Sequence, residues 1–334
     1  MRVNREELLR ALEAVSPGLA TKEIIEQSAC FCFTGDMIKT FNDEIACSRK
    51  SPVSGLQGAV QAAPLLTLLS KLSEEEIDLE QKDGQLLVKG KSRRAGINME
   101  QSVTLPIDVI EEPGEWKPLD PEVIEGVSIV QECASQDDGQ FALTCLHLTA
   151  THIEATDNFQ IVRYPVTLAI EQDMLVRRDA IKCLIGLDMT EFSESSAWLH
   201  FRNPAGLVIS CRRYLEEYPE LTAFLEVEGS IATLPGGLVE AIEKAEIFSS
   251  ENAVGNKVLI DLQPGKLLLE GRGANGWFQE RRMISYAGEP LKFMIAPKLL
   301  VSITQRANDC TIGPGRLLIN SGRFKFVGCL SVAE

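Results

Sequence analysis

The stretch Gly271-Arg272-Gly273-Ala274-Asn275-Gly276 has the glycine spacing of a dinucleotide-binding fingerprint and follows an apolar run, Leu267-Leu268-Leu269. Such a fingerprint must open a helix whose N-terminus receives a pyrophosphate. The residues that follow, from Trp277 and Phe278 to Tyr286, look like a further strand, so a glycine-rich hairpin is expected instead. The acidic run Glu74-Glu75-Glu76 and the pair Asp137-Asp138 offer oxygens to a hard cation. Neither has a partner at ligand spacing, and both are expected to be solvated surface. Nine cysteines stand at positions 30, 32, 47, 133, 145, 183, 211, 310 and 329, and the histidines are His147, His152 and His200. The sequence contains no C-x-x-C, H-E-x-x-H, P-loop or G-x-S-x-G. Cys145 and His147 share a strand face, yet two candidate ligands fall short of a zinc set, so neither a metal nor a cofactor is expected. In Ala29-Cys30-Phe31-Cys32-Phe33 the thiols point to one face and the rings to the other, as small core residues do in a reducing compartment. No catalytic constellation emerges, and no enzymatic activity is expected.

Basic residues on helical wheels carry more information. Leu8, Leu9, Leu12 and Val15 make an apolar stripe from which Arg10 points away. Lys71 stands in the same relation to Leu65, Leu68, Leu69 and Leu72, and Lys244 to Leu238, Ile242 and Ala245. Arg177, Arg178, Lys182, Lys298 and Arg306 fall at helix ends or flanks. These positions suit weak contacts to phosphate, although most surface lysines only solubilise. The net charge of −15, from 48 acidic and 33 basic residues, excludes a broad basic coat for nucleic acid. It leaves room for a local basic lining in an acidic body.

The elements that position these residues recur. At 334 residues the chain exceeds the ~250–300 at which one core stops growing. Leu8-Leu9-Arg10-Ala11-Leu12-Glu13-Ala14 returns as Leu238-Val239-Glu240-Ala241-Ile242-Glu243-Lys244, offset by 230. Ala63-Pro64-Leu65-Leu66 answers to Ala296-Pro297-Lys298-Leu299-Leu300, and Gly84-Gln85-Leu86-Leu87-Val88 to Gly315-Arg316-Leu317-Leu318-Ile319. Midway, Asp120-Pro121-Glu122 opens a helix with a capping Asp and a proline at its first position. A second helix of this copy is expected over 177–187, and a late strand at 205–209. Three similar domains follow: 1–115, 116–228 and 229–334. Turns at Lys82-Asp83-Gly84 and Gln263-Pro264-Gly265 join neighbouring strands, so the class is α+β, with two helices packed on antiparallel sheet in each domain. No apolar run approaches the ~18–20 residues that cross a bilayer, and the N-terminal segment reads as an amphipathic helix rather than a signal peptide. A cytoplasmic protein with no membrane partner is expected.

This threefold pattern resembles the bacterial sliding clamps, the beta subunit of DNA polymerase III. Ala155-Thr156-Asp157-Asn158-Phe159-Gln160-Ile161 resembles the family's Ala-Thr-Asp-Gly-His-Arg-Leu, and Tyr218-Pro219-Glu220-Leu221 its Phe-Pro-Asp-Tyr. Ala245-Glu246-Ile247-Phe248-Ser249 resembles a segment whose two large apolar residues make the family's dimer contact. The resemblance covers the whole chain. It departs at Asn158, Phe159 and Gln160, at the C-terminal Phe326-Val327-Gly328-Cys329-Leu330-Ser331, and around Arg93-Arg94-Ala95-Gly96-Ile97, where the apolar dimer partners are missing. Its divergence and short length fit a phage-encoded member.

The resemblance implies a DNA clamp fold: two three-domain subunits, a homodimer ring, encircling duplex DNA without sequence preference. It implies a processivity factor that tethers a DNA polymerase and is opened by a clamp loader. Partner peptides would dock among Leu143, Thr156, Asn158, Phe159, Ile161, Pro219, Phe224, Val327, Gly328, Cys329 and Leu330. DNA would meet Arg10, Lys71, Gln140, Phe141, Arg178, Lys182, Lys244 and Lys298. The ring would close through Arg94, Ala95, Gly96 and Ile97 against Ile247 and Phe248. Two other readings stay open at this point: a metal-dependent enzyme whose acidic residues meet only in the fold, and a three-domain scaffold with no DNA role.

Overall fold

The computed structural model describes residues 1–233, 238–249, 257–288, 290–297, 300–301 and 309–329, with 24 strands and five α-helices among them. The helices are α1 (Arg5–Val15), α2 (Ala62–Lys71), α3 (Pro121–Val130), α4 (Arg178–Ile181) and α5 (Leu238–Ser249). None among the described residues is long and apolar enough to cross a membrane. The chain forms two compact units: Met1–Pro121 with Asp179–Tyr214, and Glu122–Arg178 with Leu215–Glu334.

In the first unit, Asn4 caps α1 by accepting from the Glu7 amide at 3.0 Å, and Glu6 and Glu7 suit the positive end of the helix. The helix buries Leu8, Ala11, Leu12 and Val15 and packs beside α2, which buries Ala62, Leu65 and Leu69. An antiparallel ladder underlies them. It runs from Arg2–Asn4 through Glu76–Lys82, Gln85–Lys89, Arg94–Glu100, Leu56–Gln61, Cys30–Gly35 and Met37–Phe41 to Ile45–Lys50. It continues into Val208–Tyr214, Trp198–Arg202, Glu191–Glu194 and Lys117–Pro118. Cys30 and Cys32 lie in a core with Phe41, Ala46, Ala59, Leu105 and Trp198. Their thiols are free, and burial pushes Cys30 up to about 11 and Cys32 to about 12, so both stay protonated and unreactive.

The second unit has a ladder from Met174–Arg177 through Cys145–Leu148, His152–Thr156, Gln160–Pro165, Lys325–Cys329, Arg316–Asn320 and Asp309–Gly313 to Ser230–Thr233. A separate four-stranded sheet orders Gly276–Met283, Lys266–Gly273, Val258–Gln263 and Leu291–Ile295. Here the glycine-rich segment is a hairpin, with Gly273 opposite Gly276. α5 covers this sheet with Leu238, Ala241, Ile242, Ala245 and Ser249 buried.

The middle third of the chain is shared between the units. Its strand Gln160–Pro165 pairs with Lys325–Cys329, while Val208–Tyr214 pairs with Ile45–Lys50. The helix expected over 177–187 is shorter than its pattern. Arg177 is taken up in strand register opposite Cys145, α4 has four residues, a 3-10 turn carries on to Leu184, and Gly186 follows at φ +81°.

Candidate functional site

The outward face of the second unit's ladder is organised in rows across the strands. One row is Thr156, Ile161, Val327 and Leu318, each opposite the next in register. The neighbouring row is His147, Glu154, Arg163, Lys325 and Asn320. Val162 and Tyr164 alternate to the other side and are buried.

The apolar row holds three of the residues expected to receive a peptide, Thr156, Ile161 and Val327. The Cys329 amide donates to the Phe159 carbonyl at 2.7 Å, so the chain's last described strand lies against the 156–161 segment. Asp157 orders that turn by accepting from the amides of Phe159 and Gln160 at 2.9 and 2.8 Å. Asn158 sits there at φ +72°, a conformation that Asn tolerates at the position of the resembled family's glycine. Its side-chain Nδ2 donates to Gln140 Oε1 at 3.0 Å and ties in the loop that leads to Leu143. Phe159 is 62% exposed and Phe224, on the 3-10 turn Thr222–Leu225, is 50% exposed. Asn158, Pro219 and Cys329 are also exposed and Ile161 is half-buried, whereas Leu143, Thr156, Val327 and Gly328 are buried beneath. Lys257 holds Asp157 at 2.7 Å and lies 5.7 Å from the Phe159 ring centroid. Leu330 lies outside the described residues.

A cleft of about 350 Å³ opens beside this surface, lined by residues the sequence did not single out, among them His152, Arg163, Thr222, Arg323 and Lys325. None of the anticipated peptide-binding residues lines it. The charged row was likewise unanticipated. Cys145 and His147 were expected to share a face, but the partner His147 finds is Glu154, across the ladder at 2.8 Å. Burial works to raise the Glu154 carboxyl, but hydrogen bonds from His147, His152 and Arg163 outweigh it and hold it at about 2. The signal was available: period-two alternation puts 152, 154 and 156 on one face. The register that brings in 147 and 163 was not. The third histidine, His200, is buried in the first unit between Ser195 and Ser210, and burial pushes it down to about 4.

The basic candidates are distributed over both units. Arg10 is exposed on α1 and pairs with Glu6 at 3.3 Å, and Lys71 is exposed at the end of α2. Lys182 is exposed and pairs with Asp179 in the same unit. In the second unit Lys244 is exposed on α5 and pairs with Glu240 at 2.7 Å, while Arg178 is half-buried at the start of α4. Gln140 is exposed, and the guanidinium of Arg177 lies 5.6 Å from the half-buried Phe141 ring. Lys298 and Arg306 lie outside the described residues.

Arg94, Ala95, Gly96 and Ile97 lie on Arg94–Glu100, which pairs with Gln85–Lys89 along one side. On its other side only Ala59 and Val60 are paired, with Glu100 and Met99, so the segment 94–98 is an open edge among the described residues. Ile247 is 70% exposed on the last turn of α5, and Phe248 beside it is half-buried. A second edge went unnoticed in the sequence. Gly276–Met283 terminates its sheet with Trp277 and Met283 exposed on one face, and the alternation of Trp277, Gln279, Arg281 and Met283 was the cue.

No protein-family model and no curated protein matches the chain. Solved structures do. The DNA polymerase III subunit beta of Pseudomonas aeruginosa superposes with a TM-score of 0.76 at 16% identity, over 100% of both chains. That of Thermotoga maritima gives 0.75 at 16%, over 100% of this chain and 99% of the other. The sliding clamp of Bartonella birtlesii, solved with griselimycin bound, gives 0.78 at 13%, over 100% of both. The chain has the sliding-clamp fold over its full length.

Proposed function

From that fold we propose that the protein is a DNA sliding clamp, a processivity factor that closes around duplex DNA and tethers a polymerase. The observation that carries this reading is the end-to-end superposition on beta-subunit clamps, with nothing left over on either chain. In this proposal the chain comprises three clamp domains, at 1–115, 116–228 and 229–334. The middle one gives strands to each of its neighbours in the two compact units. A closed ring holds DNA by topology, so weak sequence-independent contacts suffice and an acidic body is no obstacle. The protein acts in the cytoplasm as a mechanical tether, without catalysis, and a clamp loader opens it. After loading onto nicked circular DNA it should remain bound at moderate salt and be lost when the DNA is linearised. Equal retention on both forms would refute encirclement.

The same reading assigns the apolar row and its exposed rings to partner peptides. A peptide with a hydrophobic anchor would bury it against Ile161, Phe159 and Phe224. Phe224→Ala and Phe159→Ala should each weaken peptide capture about tenfold, as removal of a central aromatic anchor does. Unchanged affinity in both folded variants would move the pocket elsewhere.

Ring closure is assigned to the open edge at 94–98 and to Ile247 with Phe248. A head-to-tail contact closes when its rotation closes, and two three-domain subunits complete six domains. Ile247→Ala with Phe248→Ala should raise the dimer dissociation constant about tenfold, read by sedimentation velocity across a concentration series. A double mutant with wild-type self-association would refute this contact.

A further inference from the structure

We propose that His147, His152 and Glu154 form a binding site for one divalent ion of the zinc type, on the outward face of the second unit's ladder. The three ligand atoms, His147 Nδ1, His152 Nε2 and Glu154 Oε1, all lie within 4.8 Å of one another. His147 Nδ1 is 2.8 Å and His152 Nε2 3.6 Å from the same carboxylate oxygen. A tetrahedral ion with bonds of ~2.0–2.2 Å spaces its ligand atoms about 3.3 Å apart; these two distances bracket that value, and the two imidazole nitrogens, within 4.8 Å of each other, would draw together to share the ion. The backbone sets the arrangement. His147 faces Glu154 in strand register, and His152 precedes Glu154 by two on the same strand face.

The surroundings orient each ligand as the outer shell of a metal site does. Arg163 occupies the other carboxylate oxygen, Oε2, through Nε at 2.8 Å and Nη2 at 2.7 Å, which leaves Oε1 to the imidazoles. Tyr218 stacks on His147 with ring centroids 4.8 Å apart and fixes its plane. On the far side of His152, Thr149 Oγ1 lies 3.1 Å from Nδ1 and donates its own proton to the His152 carbonyl at 3.0 Å. Thr151 Oγ1 lies 3.0 Å from the same Nδ1, so two hydroxyls hold this edge of the ring and turn Nε2 toward Glu154. An ion bound here would take the place of the protons by which the two imidazoles now bond to Oε1. His152 also lines the cleft of about 350 Å³, which gives an ion a way in and a water the fourth position. The ligand class follows from the donors: two imidazole nitrogens and a carboxylate suit Zn²⁺, with Co²⁺ as a spectroscopic substitute. The site is independent of the clamp reading, since it would brace one strand face whether or not the protein encircles DNA.

The test is metal titration of the full chain after exhaustive dialysis against chelator. One equivalent of Zn²⁺ should bind with a micromolar or tighter dissociation constant, and Co²⁺ should give a visible band that Zn²⁺ abolishes. His147→Ala and His152→Ala should each weaken binding at least about tenfold, with circular dichroism unchanged; their side chains are partly exposed, at 18% and 22%. Glu154 is left intact because its removal would strand Arg163. Cys329→Ser, which removes the exposed thiol, should leave binding as in the wild type. The proposal is overturned if the wild type takes up no stoichiometric Zn²⁺ at 100-micromolar concentration (about that of a weak surface site), if both histidine variants bind normally, or if Cys329→Ser abolishes binding.

Discussion

Replacing Gly271 by alanine is expected to lower the stability of the C-terminal unit by about 3 kcal/mol, near the upper end of overpacking costs. A Cβ at this position would stand 1.9 Å from the Ala245 carbonyl oxygen and 2.6 Å from its carbon. Both are helix backbone, so no rotamer change relieves the collision, and α5 as a whole must lift from the strand Lys266–Gly273. That helix rests on the sheet through Leu238, Ala241, Ile242 and Ala245, all buried, and lifting it opens space under each of them. Two small residues, Ala245 and Gly271, are what let helix and strand backbones approach so closely. The melting temperature should fall by roughly 6–12 °C, given the ~2–4 °C per kcal/mol usual for a body of this size. A Gly271→Ala protein that melts with the wild type would show that α5 does not approach the strand this closely. Because Ile247 and Phe248 ride on the last turn of the same helix, the substitution should also weaken self-association.

Local chemistry was legible in the sequence wherever one element decides it. The stripe of Leu8, Leu12 and Val15 is the buried face of α1, and Pro121 does open α3. The alternation after Gly276 rejected a nucleotide fingerprint, and the segment is a hairpin. What was hidden depends on partners far along the chain. Arg177 looked helical because Arg178 to Leu184 partly are, yet its pairing with Cys145 claims it for a strand. The middle repeat has a continuous periodicity of its own, which does not say which strands its edges meet. Its strand Gln160–Pro165 bonds to residues more than 160 positions on, and Val208–Tyr214 to residues as far back, and no local pattern encodes either choice. The residues proposed to receive a peptide could be named from the sequence, but not which of them would surface. Val327 and Thr156 are buried, while Phe159 and Phe224 carry the exposed area. The row His147, Glu154, Arg163 and Lys325 was the least visible feature, since each member is ordinary until register places it beside the next.

Reversing Arg10, Lys71 and Lys244 together to glutamate is expected to cost about two orders of magnitude in DNA affinity near 0.15 M salt, if these side chains line a DNA channel. The estimate comes from counterion release: each phosphate contact contributes about 0.9 to the slope of log affinity against log salt, so three contribute about 2.7. The fold should survive. All three residues are exposed on helices whose buried faces are the opposite stripes, those of Leu8 and Leu12, of Leu65 and Leu69, and of Ile242 and Ala245. The ion pairs lost are Arg10 with Glu6 and Lys244 with Glu240, both spaced i, i+4. Exposed, solvent-screened helix pairs of this kind contribute too little to unfold a helix packed on sheet. A chain with a net charge of −15 repels DNA as a whole, so attraction must come from a few positions turned toward the duplex, and removing three of them should be felt strongly. The measurement is retention on nicked circular DNA over a salt series, with sedimentation to verify that assembly is unchanged. The triple variant should slide off sooner and show a shallower salt slope by about 2.7. A slope equal to that of the wild type would mean that the phosphate contacts lie on other residues, because topology alone does not depend on salt in this way.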